Sequence, residues 1–402
     1  MSRVGLPFSL TGRIVVPGNA PGEIPDQAFG SAPAREDRAI PVRIVGMIGV
    51  APPATDATVH IITGGISPAF LKTFAQAHEA ADYDLVLVGY TSQSAEGFQV
   101  ASFAAAHTER LGYLIAHRPG FIEPTLAARK IATFDNLHQG RIAVHIIAGV
   151  SDAEQRMDGD FQPKDIRYRR AAEYLSVMRR VWTEPGPFDH RGEFYAFEGV
   201  RSDVQPLQQP YPPLFFGGSS EGALAMGAEH CDVFAIFGEP LADTAERMAD
   251  FRKRAAVFGR TPQFNMSIRP ILGETEAEAW QKADDILAQV NAELGQHAGR
   301  AASDESGRRI LEAAARGDVH DARLWTALAK AYGAQGNTTC LVGTAEQVAD
   351  ALLEYYRLGI GGFLLRGFDP LGDVTAYGRE LIPRIRAGAA EIDAAAGGGP
   401  DG

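Results

Sequence analysis

The stretch Leu214–His230, LFFGGSSEGALAMGAEH, joins an apolar strand to a helix through two glycines and two serines. Glycines let a backbone approach an anion closely, serine hydroxyls donate, and a helix N-terminus offers free N–H groups and a favourable dipole. Gly218, Ser219 and Ser220 are therefore candidates for a phosphate cradle. Four residues of this kind also suit an ordinary strand-to-helix turn with serine as N-cap. What decides the fold is that the strand–helix unit recurs.

Before it, apolar runs stand at Arg43–Val50, Leu85–Gly89, Leu111–Ala116 and Ile142–Ile147; after it, at Asp232–Phe237, Phe264–Leu272 and Gly361–Leu365. Helical periodicity fills the gaps. Ser67-Pro68 reads as an N-cap and first helical position, with Phe70, Leu71, Phe74, Ala77 and Ala81 on one face. Pro124–Leu137 is a helix closed by Gly140, and Asp165–Trp182 is a long one burying Tyr168, Leu175 and Met178. Strands written as continuous apolar runs, alternating with helices, indicate a parallel sheet covered on both faces. Eight such units point to a (β/α)8 TIM barrel rather than an open doubly wound sheet. No GxGxxG follows the first strand, so the usual mark of a dinucleotide-binding domain is missing.

Three segments exceed a minimal barrel of roughly 250 residues. Residues 1–41, rich in Pro, Gly and Ala, read as an extended N-terminal arm. Phe188–Val200 reads as a hairpin. Residues 290–338, polar and helical, separate the seventh strand from the eighth, where an insertion becomes a lid over the active-site face. The barrel is expected over 42–388, and residues 389–402 read as a flexible tail.

The chain has 402 residues, 45% hydrophobic and 22% charged, with a net charge of -12. That balance argues against a nucleic-acid surface, which needs clustered Lys and Arg, and against anionic membranes. Two cysteines, Cys231 and Cys340, sit in no metal-ligand spacing, so neither a disulfide scaffold nor a structural zinc site is expected. No apolar run approaches the roughly 20 residues of a membrane helix. Pro7, Gly12, Arg13 and Pro17 break the first apolar run, so no secretory signal is read and a cytoplasmic location is expected.

Longer motifs narrow the function. Pro124-Thr125-Leu126-Ala127-Ala128-Arg129, Ala132-Thr133-Phe134-Asp135-Asn136-Leu137 and Gly140-Arg141 form one specific string. Gln208-Gln209-Pro210-Tyr211-Pro212-Pro213-Leu214 leads into the Gly-Gly-Ser-Ser turn, and Arg118-Pro119 before it with Gly238-Glu239-Pro240 and Leu341-Val342-Gly343 after it fit the same pattern. Over residues 43–388 the chain resembles the bacterial-luciferase-like flavin monooxygenases, and within them the FMNH2-dependent alkanesulfonate monooxygenases. The resemblance implies a barrel that takes reduced FMN from a separate NAD(P)H-dependent flavin reductase, reacts with oxygen and a small organic substrate, and forms a homodimer or homotetramer. It places Gly218, Ser219, Ser220 and Tyr168 at the FMN phosphate, and His145 on the fourth strand facing the flavin.

Departures from the alkanesulfonate pattern bear on the substrate. Ala95 stands where those enzymes carry a cysteine, Ser267 and Arg269 replace an Arg and a His on the seventh strand, and Phe368 replaces a tyrosine. Arg269 and Arg366 bring new positive charge to the C-terminal mouth of the barrel, where such folds do their chemistry. They are candidates for the reacting centre and for an anionic, sulfonate-like substrate group. An Arg366 pair with Asp369 or Asp373 is the plainer expectation. Two further functions stay open: an F420- or FMN-dependent oxidoreductase of the same superfamily, and a non-catalytic flavin-binding paralogue.

Overall fold

The computed structural model describes residues 42–52, 65–149, 151–294, 304–321, 323–334, 336 and 338–397. The N-terminal arm and the last residues of the tail lie outside these. Strands β1 (Arg43–Met47), β2 (Leu85–Val88), β3 (Gly112–His117), β4 (Ile142–Ile146), β7 (Leu214–Gly217), β8 (Val233–Phe237), β9 (Gln263–Leu272) and β13 (Gly362–Leu365) pair in parallel. The circle closes because β9 pairs with both β8 and β13, giving the eight-stranded barrel. The expected fold is the observed one.

Outside the strands lie α1 (Pro68–Ala80), α2 (Gly97–Ala105), α3 (Pro124–Leu137), α5 (Lys164–Thr183), α6 (Glu221–His230), α7 (Leu241–Ala256) and α11 (Ala345–Leu358). The last unit is α12 (Pro370–Ala376), a π turn at Tyr377–Leu381 and α13 (Ile382–Gly397). α13 carries the chain past the expected start of the tail, with Ala389 fully buried. Ser67 caps α1 as its position suggests, its hydroxyl accepting from Phe70 N–H at 3.3 Å. Inside the barrel, Val45, Leu114, Ala143, Phe215, Val233 and Leu364 form one apolar plug.

The signature motifs turn out to hold the wall. Asp135 on α3 is fully buried and accepts from Gln208 twice, backbone N–H at 2.9 Å and Nε2 at 2.7 Å. Asn136 donates to the Gln205 carbonyl at 2.7 Å, and Tyr211 stacks on Trp182 at 5.7 Å. A buried carboxylate is tolerable only when its oxygens are bonded, which explains why these residue types come together.

Three additions decorate the barrel. A short helix, α4 (Asp152–Met157), precedes α5, and β5 (Phe188–Arg191) pairs antiparallel with β6 (Ala196–Val200) as the expected hairpin. The third is larger than the 290–338 insertion read from composition. α8 (Glu276–Leu294), α9 (Glu305–Arg316), β10 (Val319–His320), β11 (Leu324–Trp325), α10 (Ala327–Tyr332) and β12 (Cys340–Gly343) all intervene before α11. Ala279, Ala283 and Val290 of α8 share a separate small core with Trp325, Leu328, Cys340, Val342 and Phe368. The excursion therefore leaves the barrel at Gly273. β9 serves both bodies: its first half pairs with β8 and β13, and Arg269–Leu272 pairs with β12.

Candidate active site

At the C-terminal end of β7, Phe215 plugs the barrel and Gly217, two residues on, faces the same interior. Gly218 and Gly222 follow. A Cβ on Gly218 would sit 2.8 Å from Ala223 Cβ and 3.6 Å from the Tyr168 hydroxyl; one on Gly222 would press on the Tyr168 ring at 3.2 Å. Glycine at these positions leaves the N-terminus of α6 open beside Tyr168. Ser220, the N-cap, makes no side-chain cap hydrogen bond, and its buried hydroxyl has no partner among the described residues. The Tyr168 hydroxyl approaches it in a geometry short of a hydrogen bond, and burial raises the Tyr168 pKa. An orphaned hydroxyl, an uncapped helix end and a gap that a methyl group would fill together fit a phosphate. Gly218, Ser220 and Tyr168 are thus brought together as expected.

Ser219 is engaged differently. Its hydroxyl lies 2.7 Å from Ser306 Oγ at the start of α9 and accepts from Arg247 of α7. Arg247 is held by buried Glu239 at 2.5 Å, and Arg309 of α9 grips the same carboxylate at 2.7 Å. Glu239 stood within a signature motif, but Arg247 and Ser306 carried no signal in the sequence.

His145 is the last inward residue of β4, two beyond Ala143 of the plug. A Cβ on Gly217 would lie 3.6 Å from its ring, which places the imidazole beside the cradle strand. Burial lowers its pKa to about 4, so the ring is neutral at pH 7, and Nδ1 has no hydrogen-bond partner among the described residues. It can accept or donate one hydrogen bond according to tautomer.

Across the barrel, Ser267 pairs with plug residue Leu364, so Ser267 and Arg269 point inward. Arg269 is fully buried, donates to the Gly367 carbonyl at 2.9 Å and lies 4.5 Å from the Phe368 ring centroid. Desolvation lowers its pKa to about 10, leaving it protonated at neutral pH. Arg366 directs Nη1 at Met47 Sδ, 3.1 Å away. Burial, and then the Arg269 charge, push its pKa well down. Asp373 accepts from the Phe368 and Asp369 N–H groups and also bears on Arg269. Two guanidiniums thus converge beyond the plug.

A further cluster braces the neighbouring loops. Arg118, after β3, bonds Glu154, Asp158 (3.1 Å) and the Ser92 hydroxyl (3.0 Å) and lies over the Tyr90 ring at 4.4 Å. It ties the loop after β2, which carries Ala95, to α4.

A closed eight-stranded parallel barrel with polar groups gathered at one mouth defines a TIM-barrel fold. The profile of the luciferase-like monooxygenase family matches residues 48–361, and the chain belongs to that family. Solved structures agree on the fold. A riboflavin lyase, RcaE, described with modified FMN and riboflavin, superposes with a TM-score of 0.69 at 20% identity, covering 86% of this chain and 91% of its own. DmoA from Hyphomicrobium sulfonivorans gives 0.68 at 21% identity, with 86% and 88% covered. An F420-dependent secondary alcohol dehydrogenase gives 0.62 at 15% identity, with 86% and 99% covered. These likenesses support the fold and do not single out the alkanesulfonate enzymes.

Proposed function

We propose that the chain is the oxygenating component of a two-component monooxygenase, using reduced FMN from a separate NAD(P)H-dependent reductase to oxidise a small, anionic organic substrate. The observation that carries this reading is the cradle of Gly218, Ser220 and Tyr168 at the uncapped start of α6. Those residues and Ser219 would hold the FMN phosphate. When bound, reduced FMN supplies the electrons that activate oxygen. His145, neutral and with no Nδ1 partner among the described residues, would hydrogen-bond an inner ring of the cofactor or the substrate. Arg269 and Arg366 would orient an anionic substrate group, because desolvated cations attract an anion far more strongly than exposed ones. Arg269, protonated at neutral pH, is a charge to bind against and no general base.

A second reading, an F420-dependent oxidoreductase, is raised by the likeness to the alcohol dehydrogenase, which covers 86% of this chain. Anaerobic fluorescence titration with reduced FMN, oxidised FMN and F420 separates the two. The expected result is that reduced FMN binds most tightly and the purified protein is largely flavin-free. Tighter binding of F420 would overturn the assignment, and equal or tighter binding of oxidised FMN would indicate a flavin that stays resident.

A further inference from the structure

We infer that Ser306 of α9 and Arg247 of α7 are positioning residues of the phosphate cradle, which fill both acceptor positions of Ser219 Oγ and turn its single proton toward the ligand. The inference rests on the flavin reading above and goes beyond it, because it makes the inserted excursion part of the cofactor site.

Hydrogen-bond arithmetic carries it. A serine hydroxyl has one proton and two acceptor lone pairs, whereas a guanidinium can only donate. Arg247 Nη2 bonds Ser219 Oγ, so one lone pair is taken. Ser306 Oγ stands 2.7 Å from the same oxygen. Either Ser306 donates to Ser219, leaving the Ser219 proton for a ligand, or Ser219 spends that proton on Ser306. A phosphate oxygen only accepts, so its arrival selects the first arrangement. Ser306, having given its proton, then accepts from Arg247 Nη2, 3.5 Å away.

The partners cannot drift. Glu239 is 2% exposed; its Oε1 accepts from Arg247, and both of its oxygens accept from Arg309 of α9. A buried carboxylate needs both guanidiniums, so α9 is fastened to the cradle by a hydroxyl pair and an ionic relay. The acidic groups at this end of α9 are engaged locally: Asp304 accepts from Gly307 N–H at 2.7 Å, and Glu305 pairs with Arg308. Loading of a phosphate ester therefore reinforces a docking of α9 that these contacts already make.

The test compares reduced FMN with reduced riboflavin, which lacks only the phosphate, by anaerobic fluorescence titration of the full-length chain. Wild-type protein should prefer reduced FMN. Ser306→Ala should weaken reduced FMN about threefold, because the Ser219 proton stays available but loses the partner that fixes its direction, while leaving riboflavin unchanged. Ser306→Thr, which keeps the hydroxyl, should restore the preference. Reduced FMN, and not riboflavin, should slow amide exchange across residues 305–316. A Ser306→Ala protein that keeps the wild-type preference, or that loses both ligands equally, overturns the inference while the flavin reading stands. Equal wild-type affinity for the two ligands overturns the cradle itself. Absence of any flavin binding overturns the inference together with the function it rests on.

Discussion

Arg269 is enclosed completely, touches Gly367 and Phe368, and in the proposed function faces the substrate. Losing a preorganised charge at a reacting centre typically costs about 10²–10³ in turnover. Arg269→Ala is expected to lower product formation by that factor while reduced-FMN binding persists and consumed oxygen appears as hydrogen peroxide. Arg269→Lys should retain part of the activity, since charge survives and the planar fork does not. A near-wild-type rate in the alanine variant makes Arg269 a wall residue. Its inward direction was legible because alternation along a strand fixes the phase once Ser267 or its neighbours are placed. The engagement of Ser219 was not. Its partners lie 28 and 87 residues away, and an arginine on a charged helix gives no sign of which carboxylate it will meet.

Among the elements, the eight barrel strands were readable because buried parallel strands are continuous apolar runs. The excursion was readable as an addition but not in its extent. Periodicity shows that Ala279, Ala283 and Val290 line one face of α8, and is silent on which sheet that face meets. β10 and β11, two residues each, are too short to show any period. Within the excursion, α9 packs Ile310 against Ala329 and Ala334, and its Arg309 and Arg316 ion pairs lie partly in solvent, where such pairs add little. Limited trypsin digestion should therefore cut first within residues 290–338, where Arg308 is exposed, and reduced FMN with substrate should protect that region. Uniform resistance in the ligand-free protein would mark the excursion as a fixed insert rather than a lid.

For the whole molecule, four buried histidines contribute to the response to acid. Burial lowers the pKa values of His78, His117, His145 and His230 to about 4. A histidine held neutral in the fold has a depressed folded-state pKa, so its contribution is full above the unfolded value of 6.5 and disappears as pH falls toward 4. Each one costs the fold about 3 kcal/mol once both forms are protonated. Urea midpoints should fall from pH 7 to pH 4.5, and His78→Gln should flatten the slope; an unchanged slope would mean that His78 is already charged in the fold.

β9 has a different consequence, one of heat and time. Arg269 is the first residue of the strand to belong to the smaller body, and its N–H is held by the Thr339 carbonyl at 3.1 Å, just before β12. The smaller body has its own modest core, and we expect that core to be lost on heating before the barrel's. When it is lost, the backbone beneath Arg269 loses that support. Catalysis should accordingly fail at a lower temperature than the barrel's circular-dichroism transition, and it should recover on cooling for as long as the barrel has not melted.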